Sequence, residues 1–292
     1  MFRRAMTVPS SAPLSGVVVV SVATNLPGPL AAARLVELGA SVTKVEPPSG
    51  DPLRAIAPGW YDELVAGQSV LALDLKDAVD RDRLEDLLRG ADLLLSSMRP
   101  SALARLGLPA STRRHGVALV EIVGGDGDRA ELPGHDLTYQ ATHGTVLAPA
   151  MPVVPVADVL GAERAVTAAL TALRLRDAGD AAAHTRVSLE AAAFAAAGAV
   201  RHGLTGPGDP LGGGLPGYGL YPVQDGHVAV AAIEPHFAER LATYLGETRQ
   251  ELTARFATGS CASWEAFAAD HDIPLAAVRA PGSTSQSRGD RP

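Results

Sequence analysis

Val17-Val18-Val19-Val20-Ser21-Val22-Ala23, the turn Asn25-Leu26-Pro27-Gly28-Pro29 and the return Ser41-Val42-Thr43-Lys44-Val45-Glu46 decide the fold of this chain. The first run is β-branched without a break, which predicts a strand covered on both faces. The turn places Pro29 in the first turn of a helix, where a missing N–H is tolerated. Residues 29–38 have helical character, and Gly39 supplies a C-terminal stop. Residues 41–46 then form a second strand. This is a βαβ unit.

The alternation continues outward from it. Residues 70–74, 91–96 and 117–123 read as strands, with a charged amphipathic helix over 77–89 and a short helix over 101–106. Strands separated by helices predict an α/β fold with a doubly wound, mostly parallel, Rossmann-like sheet. Ala-rich helices over 159–177 and 188–202 pack against it. Residues 203–219 carry Gly and Pro as a linker does. A hairpin over 219–231 and helices over 235–245 and 263–270 then predict a second, smaller α+β domain. The expected boundaries are 12–203 for the large domain, 204–280 for linker and small domain, and 281–292 as a disordered tail.

Composition narrows the function. The 292 residues carry a net charge of -7, which argues against nucleic acid as the main partner. The single cysteine, Cys261, cannot form an internal disulfide, so a reducing cytoplasm is the expected location. The basic start Met1-Phe2-Arg3-Arg4 is followed by Pro and Ser residues that interrupt any signal-peptide core. Residues 188–200 are apolar but short, as in a buried helix and not a membrane span.

A nucleotide-type opening invites a dinucleotide site, with Glu46 where a ribose-binding acid could stand. The first loop lacks G-x-G-x-x-G, so nothing brings the backbone close to a pyrophosphate. Other words fit better. Leu26-Pro27-Gly28-Pro29, Leu38-Gly39-Ala40, and Val45-Glu46-Pro47-Pro48 followed by Gly50-Asp51-Pro52-Leu53-Arg54 resemble the family III CoA-transferases (CaiB/BaiF). So do Leu73-Asp74-Leu75-Lys76 and Met98-Arg99-Pro100 with Arg105-Leu106-Gly107-Leu108. The resemblance rests on their order and spacing, and runs from about residue 14 to about 278.

Within that family, three further segments resemble the α-methylacyl-CoA racemases. They are Gly134-His135-Asp136-Leu137-Thr138-Tyr139, Pro155-Val156-Ala157-Asp158 and Ala232-Ile233-Glu234-Pro235-His236-Phe237. Their bland readings are a turn-capping histidine, a helix N-cap and an exposed capping glutamate. The resemblance instead implies that His135, oriented by Glu234, serves one face of the substrate carbon and Asp158 the other. An imidazole that titrates near neutrality suits reversible proton transfer. The enolate oxygen would need main-chain N–H donors, expected where a helix begins beside Asp158. For the CoA moiety the resemblance implies Arg54, Arg99 and Arg105, since guanidinium forks bind phosphate and stack on adenine. Ser97 and Met98 stand where relatives usually carry Asn-Phe beside the pantetheine.

Three functions follow in order. The first is racemisation of a 2-methylacyl-CoA by 1,1-proton transfer through an enolate. The second is CoA transfer between carboxylic acids, with Asp158 as nucleophile and an aspartyl-CoA intermediate. The third is a shortened CoA-binding protein with reduced or no activity, because residues 64–69 lack the usual basic, Asn-rich stretch and the chain stops soon after Ile273-Pro274. The family also implies an interlocked homodimer, with an active site between the large domain of one subunit and the small domain of the other. Coenzyme A enters as part of the substrate, and no tightly bound cofactor, metal or membrane partner is expected.

Overall fold

The computed structural model describes residues 12–180 and 183–280. The expected disordered tail, 281–292, lies outside the described residues. The chain divides into two compact units, Met1–Ala197 and Gly198–Pro292.

In the first unit, strands β1 (Val18–Ser21), β2 (Ser41–Glu46), β3 (Ser69–Ala72), β4 (Leu93–Ser96), β5 (Ala118–Val123) and β6 (His184–Ser188) form one sheet. Its order is β3-β2-β1-β4-β5-β6, and every pairing is parallel. Helices α1 (Pro27–Glu37), α2 (Pro52–Ile56), α3 (Pro58–Val65), α4 (Ala78–Arg89), α5 (Pro100–Arg105) and α6 (Leu108–His115) fall between the first five strands. Helices α7 (Asp136–Thr142) and α8 (Val156–Asp177) precede β6, and α9 (Leu189–Ala196) follows it.

The valine and leucine runs serve two cores at once. Val19, Leu93, Leu95, Val120 and Ile122 face one way, onto Ala31 and Leu35 of α1 and Ala165, Ala169 and Ala172 of α8. Val20, Leu94 and Leu119 face the other way, onto Leu84 and Leu88 of α4, Leu103 and Leu108. Successive side chains of a strand point to opposite faces, so a strand covered on both sides must be apolar throughout. The small alanines of α8 let that 22-residue helix lie close to the sheet.

Strand β6 departs from expectation, since 188–202 reads as continuous helix and nothing before it reads as a strand. Its sequence, His184-Thr185-Arg186-Val187-Ser188, is polar at every position but Val187. The reason for the polar residues lies one strand away. Glu121 of β5 is buried, and His184 Nε2 and Arg186 Nη2 reach its carboxylate at 2.7 and 2.9 Å. Burial alone would raise the Glu121 carboxyl. The hydrogen bond from His184 and the charge of Arg186 outweigh it and hold the group below the usual carboxylate range.

A depressed carboxylate contributes stability above its unfolded value, roughly pH 4.3, and loses it as pH falls through the folded value. Glu121→Gln is therefore expected to cost about 2 kcal/mol at pH 7 and progressively less below pH 4.5. Melting curves of both proteins between pH 3 and 7 measure this. A constant gap across that range would detach the effect from the carboxylate.

The second unit holds α10 (Gly198–Arg201), the antiparallel pair β7 (Tyr218–Val223) and β8 (Gly226–Ala231), and a third strand β9 (Leu275–Ala277) against β8. Helices α11 (Pro235–Tyr244), α12 (Arg249–Phe256) and α13 (Cys261–Asp270) cover the sheet. Tyr221, Val228, Leu252, Phe256 and Trp264 form its core, with Trp264 Nε1 donating to the Phe256 carbonyl at 2.8 Å. No helix among the described residues is long and apolar enough to cross a membrane.

Candidate active site

The sheet order reverses between β1 and β4, and loops leaving the carboxyl ends of two such strands diverge to opposite faces. In open α/β sheets that crevice is where ligands bind. Here it is a cavity of about 260 Å³. Thr24 and Asn25 line it after β1, Ser97 to Arg99 after β4, and Gly124 after β5. Gly134, His135, Tyr139 and Asp158 close it.

The loop after β1 is held from beneath by buried charge. Lys44 Nζ pairs with Asp51 Oδ2 at 2.7 Å and with Glu46 Oε1 at 2.9 Å, and all three residues are buried. Tyr61 donates to the same Glu46 oxygen at 2.7 Å. The other oxygen of Asp51 accepts the N–H groups of Asn25 and Leu53, both at 3.0 Å. That grip holds Asn25 at φ 67°, a left-handed conformation that Asn tolerates better than most residues. Glu46 thus closes an internal network and is not free to meet a ribose.

Ser97 is at the cavity, but its hydroxyl is engaged. It accepts the Thr24 N–H at 2.9 Å and donates to the Thr24 carbonyl at 3.3 Å. This clasp joins the two loops at the reversal. Met98 and Arg99 line the cavity beside it, and Arg99 is exposed at the start of α5.

The Gly-His-Asp segment initiates α7. Thr138 Oγ1 accepts the His135 N–H at 3.1 Å and donates to its carbonyl at 2.7 Å. The main chain of His135 is clamped this way, and its imidazole lines the cavity. Asp136 reaches to α8. Its Oδ1 accepts the N–H groups of Ala157 at 2.7 Å and Asp158 at 3.3 Å, and its Oδ2 accepts from Gln140 at 2.6 Å.

The consequence for Asp158 is chemical. A carboxylate in the first turn of a 22-residue helix would normally be stabilised by free amides and the helix dipole. Here Asp136 takes those amides, and the Asp158 carboxylate has no hydrogen bond among the described residues. Burial first, and then the charge of Asp136, push its pKa up to about 7. The expectation of free main-chain donors at the start of α8 is thereby corrected. Ala157 and Asp158 give theirs to Asp136, and Val156 gives its own to the Val154 carbonyl at 2.9 Å.

The cavity brings together five of the expected site residues: His135, Asp158, Ser97, Met98 and Arg99. Arg54 and Arg105 are exposed on α2 and at the end of α5, outside its lining, with Arg54 5.6 Å above the Tyr61 ring. Glu234 belongs to the second unit, exposed at the N-cap of α11. Sequence reasoning missed Asp136, Asn25 and Tyr139, although Asp136 and Tyr139 stand within the quoted Gly-His-Asp word.

The sequence profile of CoA-transferase family III matches residues 14–289. The chain belongs to CoA-transferase family III. It is 36% identical over 133 residues to a subunit of succinyl-CoA:(R)-benzylsuccinate CoA-transferase from Thauera aromatica, covering 40% of this chain and 32% of that protein. It is 32% identical over 161 residues to acetyl-CoA:oxalate CoA-transferase from Acetobacter aceti, covering 51% and 41%. The chain thus spans about a third to two fifths of the length of these curated relatives. A CaiB/BaiF family protein of Brucella suis shares the fold, with a TM-score of 0.74 at 22% identity over 92% of this chain and 84% of that one. These relatives in family III bear transferase names, and nothing in the match singles out the racemase branch.

Proposed function

We propose that this protein moves CoA from an acyl-CoA to a second carboxylic acid, with Asp158 as the covalent nucleophile. The observation that carries the reading is the Asp158 carboxylate itself: it lines the cavity, accepts no hydrogen bond among the described residues, and titrates near 7. A poorly solvated carboxylate has a high-energy ionised form, which makes it a better nucleophile once ionised. The transferase names of the relatives point the same way.

The cycle balances without any further reactant. A carboxylate oxygen of Asp158 attacks the thioester carbonyl carbon, the C–S bond breaks, and CoA leaves as thiolate beside a mixed anhydride. The thiolate attacks the Asp158 carbonyl carbon and expels the acyl group as a carboxylate, leaving an aspartyl-CoA thioester. An acceptor carboxylate then runs both steps in reverse and regenerates Asp158. Arg99 at the cavity, with exposed Arg54 and Arg105, supplies guanidinium groups for the CoA phosphates.

One observation favours a second reading. His135 lines the same cavity as Asp158, as a two-base racemase requires. In that reading Glu234 orients His135 across a homodimer.

A single assay in D2O separates the two. The protein is incubated with a 2-methylacyl-CoA, with and without an acceptor acid, and products are read by mass spectrometry. Transfer is expected only with acceptor, without α-deuterium, and His135→Ala should retain it within about fivefold, since the imidazole makes no bond in the cycle. Deuterium entering the α-carbon without acceptor, lost in His135→Ala, would hand the function to the racemase.

A further inference from the structure

We propose that the hydroxyl of Tyr139 is the hydrogen-bond donor that holds the acyl carbonyl oxygen while it carries negative charge during attack by Asp158. The proposal rests on the transferase reading above and adds a catalytic residue to it.

When the Asp158 oxygen bonds to the thioester carbon, the carbonyl π electrons move onto oxygen. They return when the C–S bond breaks. A preorganised donor aimed at that oxygen is usually a large part of catalysis. The start of α8 cannot supply it, because Asp136 occupies the Ala157 and Asp158 amides. Four further main-chain donors around the cavity are also committed: Thr24 to Ser97, Asn25 to Asp51, Met98 to Ser96 and His135 to Thr138.

Tyr139 lines the same cavity with its ring buried, and its hydroxyl has no hydrogen-bond partner among the described residues. Its seat is made of bare backbone. A Cβ placed on Gly124 would stand 2.5 Å from the phenol oxygen, and one on Gly134 would collide with it as well. Both glycines line the cavity, so the hydroxyl sits between two strips of main chain beside the space where a thioester would lie. Burial first, then the charges of Asp158 and Glu190, raise the phenol above its ordinary value. It therefore keeps its proton at neutral pH and acts as a donor throughout. The proton stays on Tyr139 oxygen, and only the hydrogen bond strengthens.

The test uses the full chain with an acyl-CoA and an acceptor acid in D2O. Tyr139→Phe retains the ring and removes the hydroxyl. We expect kcat to fall about 10²-fold, with KM and calorimetric CoA binding within about twofold of wild type. The single-turnover rate of aspartyl-CoA formation on Asp158 should fall by the same factor. Incorporating 3-fluorotyrosine at 139, which keeps a hydroxyl, should restore kcat to within about fivefold. If the wild type transfers CoA and Tyr139→Phe does so at the same rate, the role of Tyr139 is overturned while the transferase reading stands. A fluorotyrosine protein as slow as Tyr139→Phe overturns it too. If the wild type exchanges α-deuterium and transfers nothing, the transferase reading has failed, and this role for Tyr139 with it.

Discussion

Asp158→Asn is expected to abolish CoA transfer and, at neutral pH, to make the protein more stable than the wild type. The amide has no ionised oxygen with which to open the thioester, so a loss on the order of 10⁴-fold or more is expected. The stability gain follows from linkage. Burial, then the Asp136 charge, raise Asp158 to about 7, well above its unfolded value. Between pH 4 and 7 the native state therefore holds a proton that the unfolded chain has released. Stability falls as pH rises through that window, and the penalty is complete above pH 7. Asparagine carries no such penalty. Allowing for partial solvent contact at the cavity, the gain is on the order of 2 kcal/mol at pH 8 and close to zero at pH 4. The same titration should appear in wild-type kinetics as a kcat/KM for transfer that climbs through pH 7 as the nucleophile ionises. Paired assays and melting curves at pH 4 and 8 decide the matter. A variant less stable than wild type at pH 8 would mean that the Asp158 carboxylate is better solvated than its setting implies.

Lys44→Met is expected to have the largest effect on the fold. Lys44 is fully buried, and its ammonium is the counter-charge to both Asp51 and Glu46. Removing one partner from a buried ion pair leaves uncompensated charge inside and typically costs about 3–5 kcal/mol. Here two carboxylates lose the same partner. They recover by taking up protons, so the variant should gain stability relative to wild type as pH falls from 8 to 5. Adding Glu46→Gln to Lys44→Met should return part of the loss. Urea unfolding of the three proteins reads this as a lowered midpoint with an unchanged slope. A midpoint matching wild type would show that the cluster is open to water.

The parts of this architecture that could be read in the sequence are those set by neighbours along the chain. The β1–α1–β2 unit was legible because four valines, a Pro-Gly turn and Gly39 each carry local conformational meaning. Strand β6 was not, since His184 and Arg186 look like loop residues until Glu121 is placed beside them, more than 60 positions away. Helix α7 was hidden in a similar way, behind Pro133-Gly134 and a histidine N-cap that read as a turn. At the site, His135 and Asp158 stood out because they fill a family pattern. Asp136 did not, because its work lies in a helix that begins 20 residues later. The mistaken expectation of free amides beside Asp158 has the same origin: that a helix starts there is visible in sequence, but what occupies its first donors is not.

The clasp between Ser97 and Thr24 separates what can drift from what cannot. The strand residues before it, Val20 and Leu94, are committed to the interior; after it, Asn25 and Arg99 line the cavity, and Met98 both lines the cavity and packs against that core. Because the two loops are tied by one hydroxyl to main-chain atoms, the tie makes no demand on side chains other than Ser97. Arg99, exposed on the cavity side, is thus free to be rewritten without disturbing either core, whereas Met98 and Asn25 are tied to the frame. A lineage built on this scaffold can diversify its chemistry at the rim while its frame stays still.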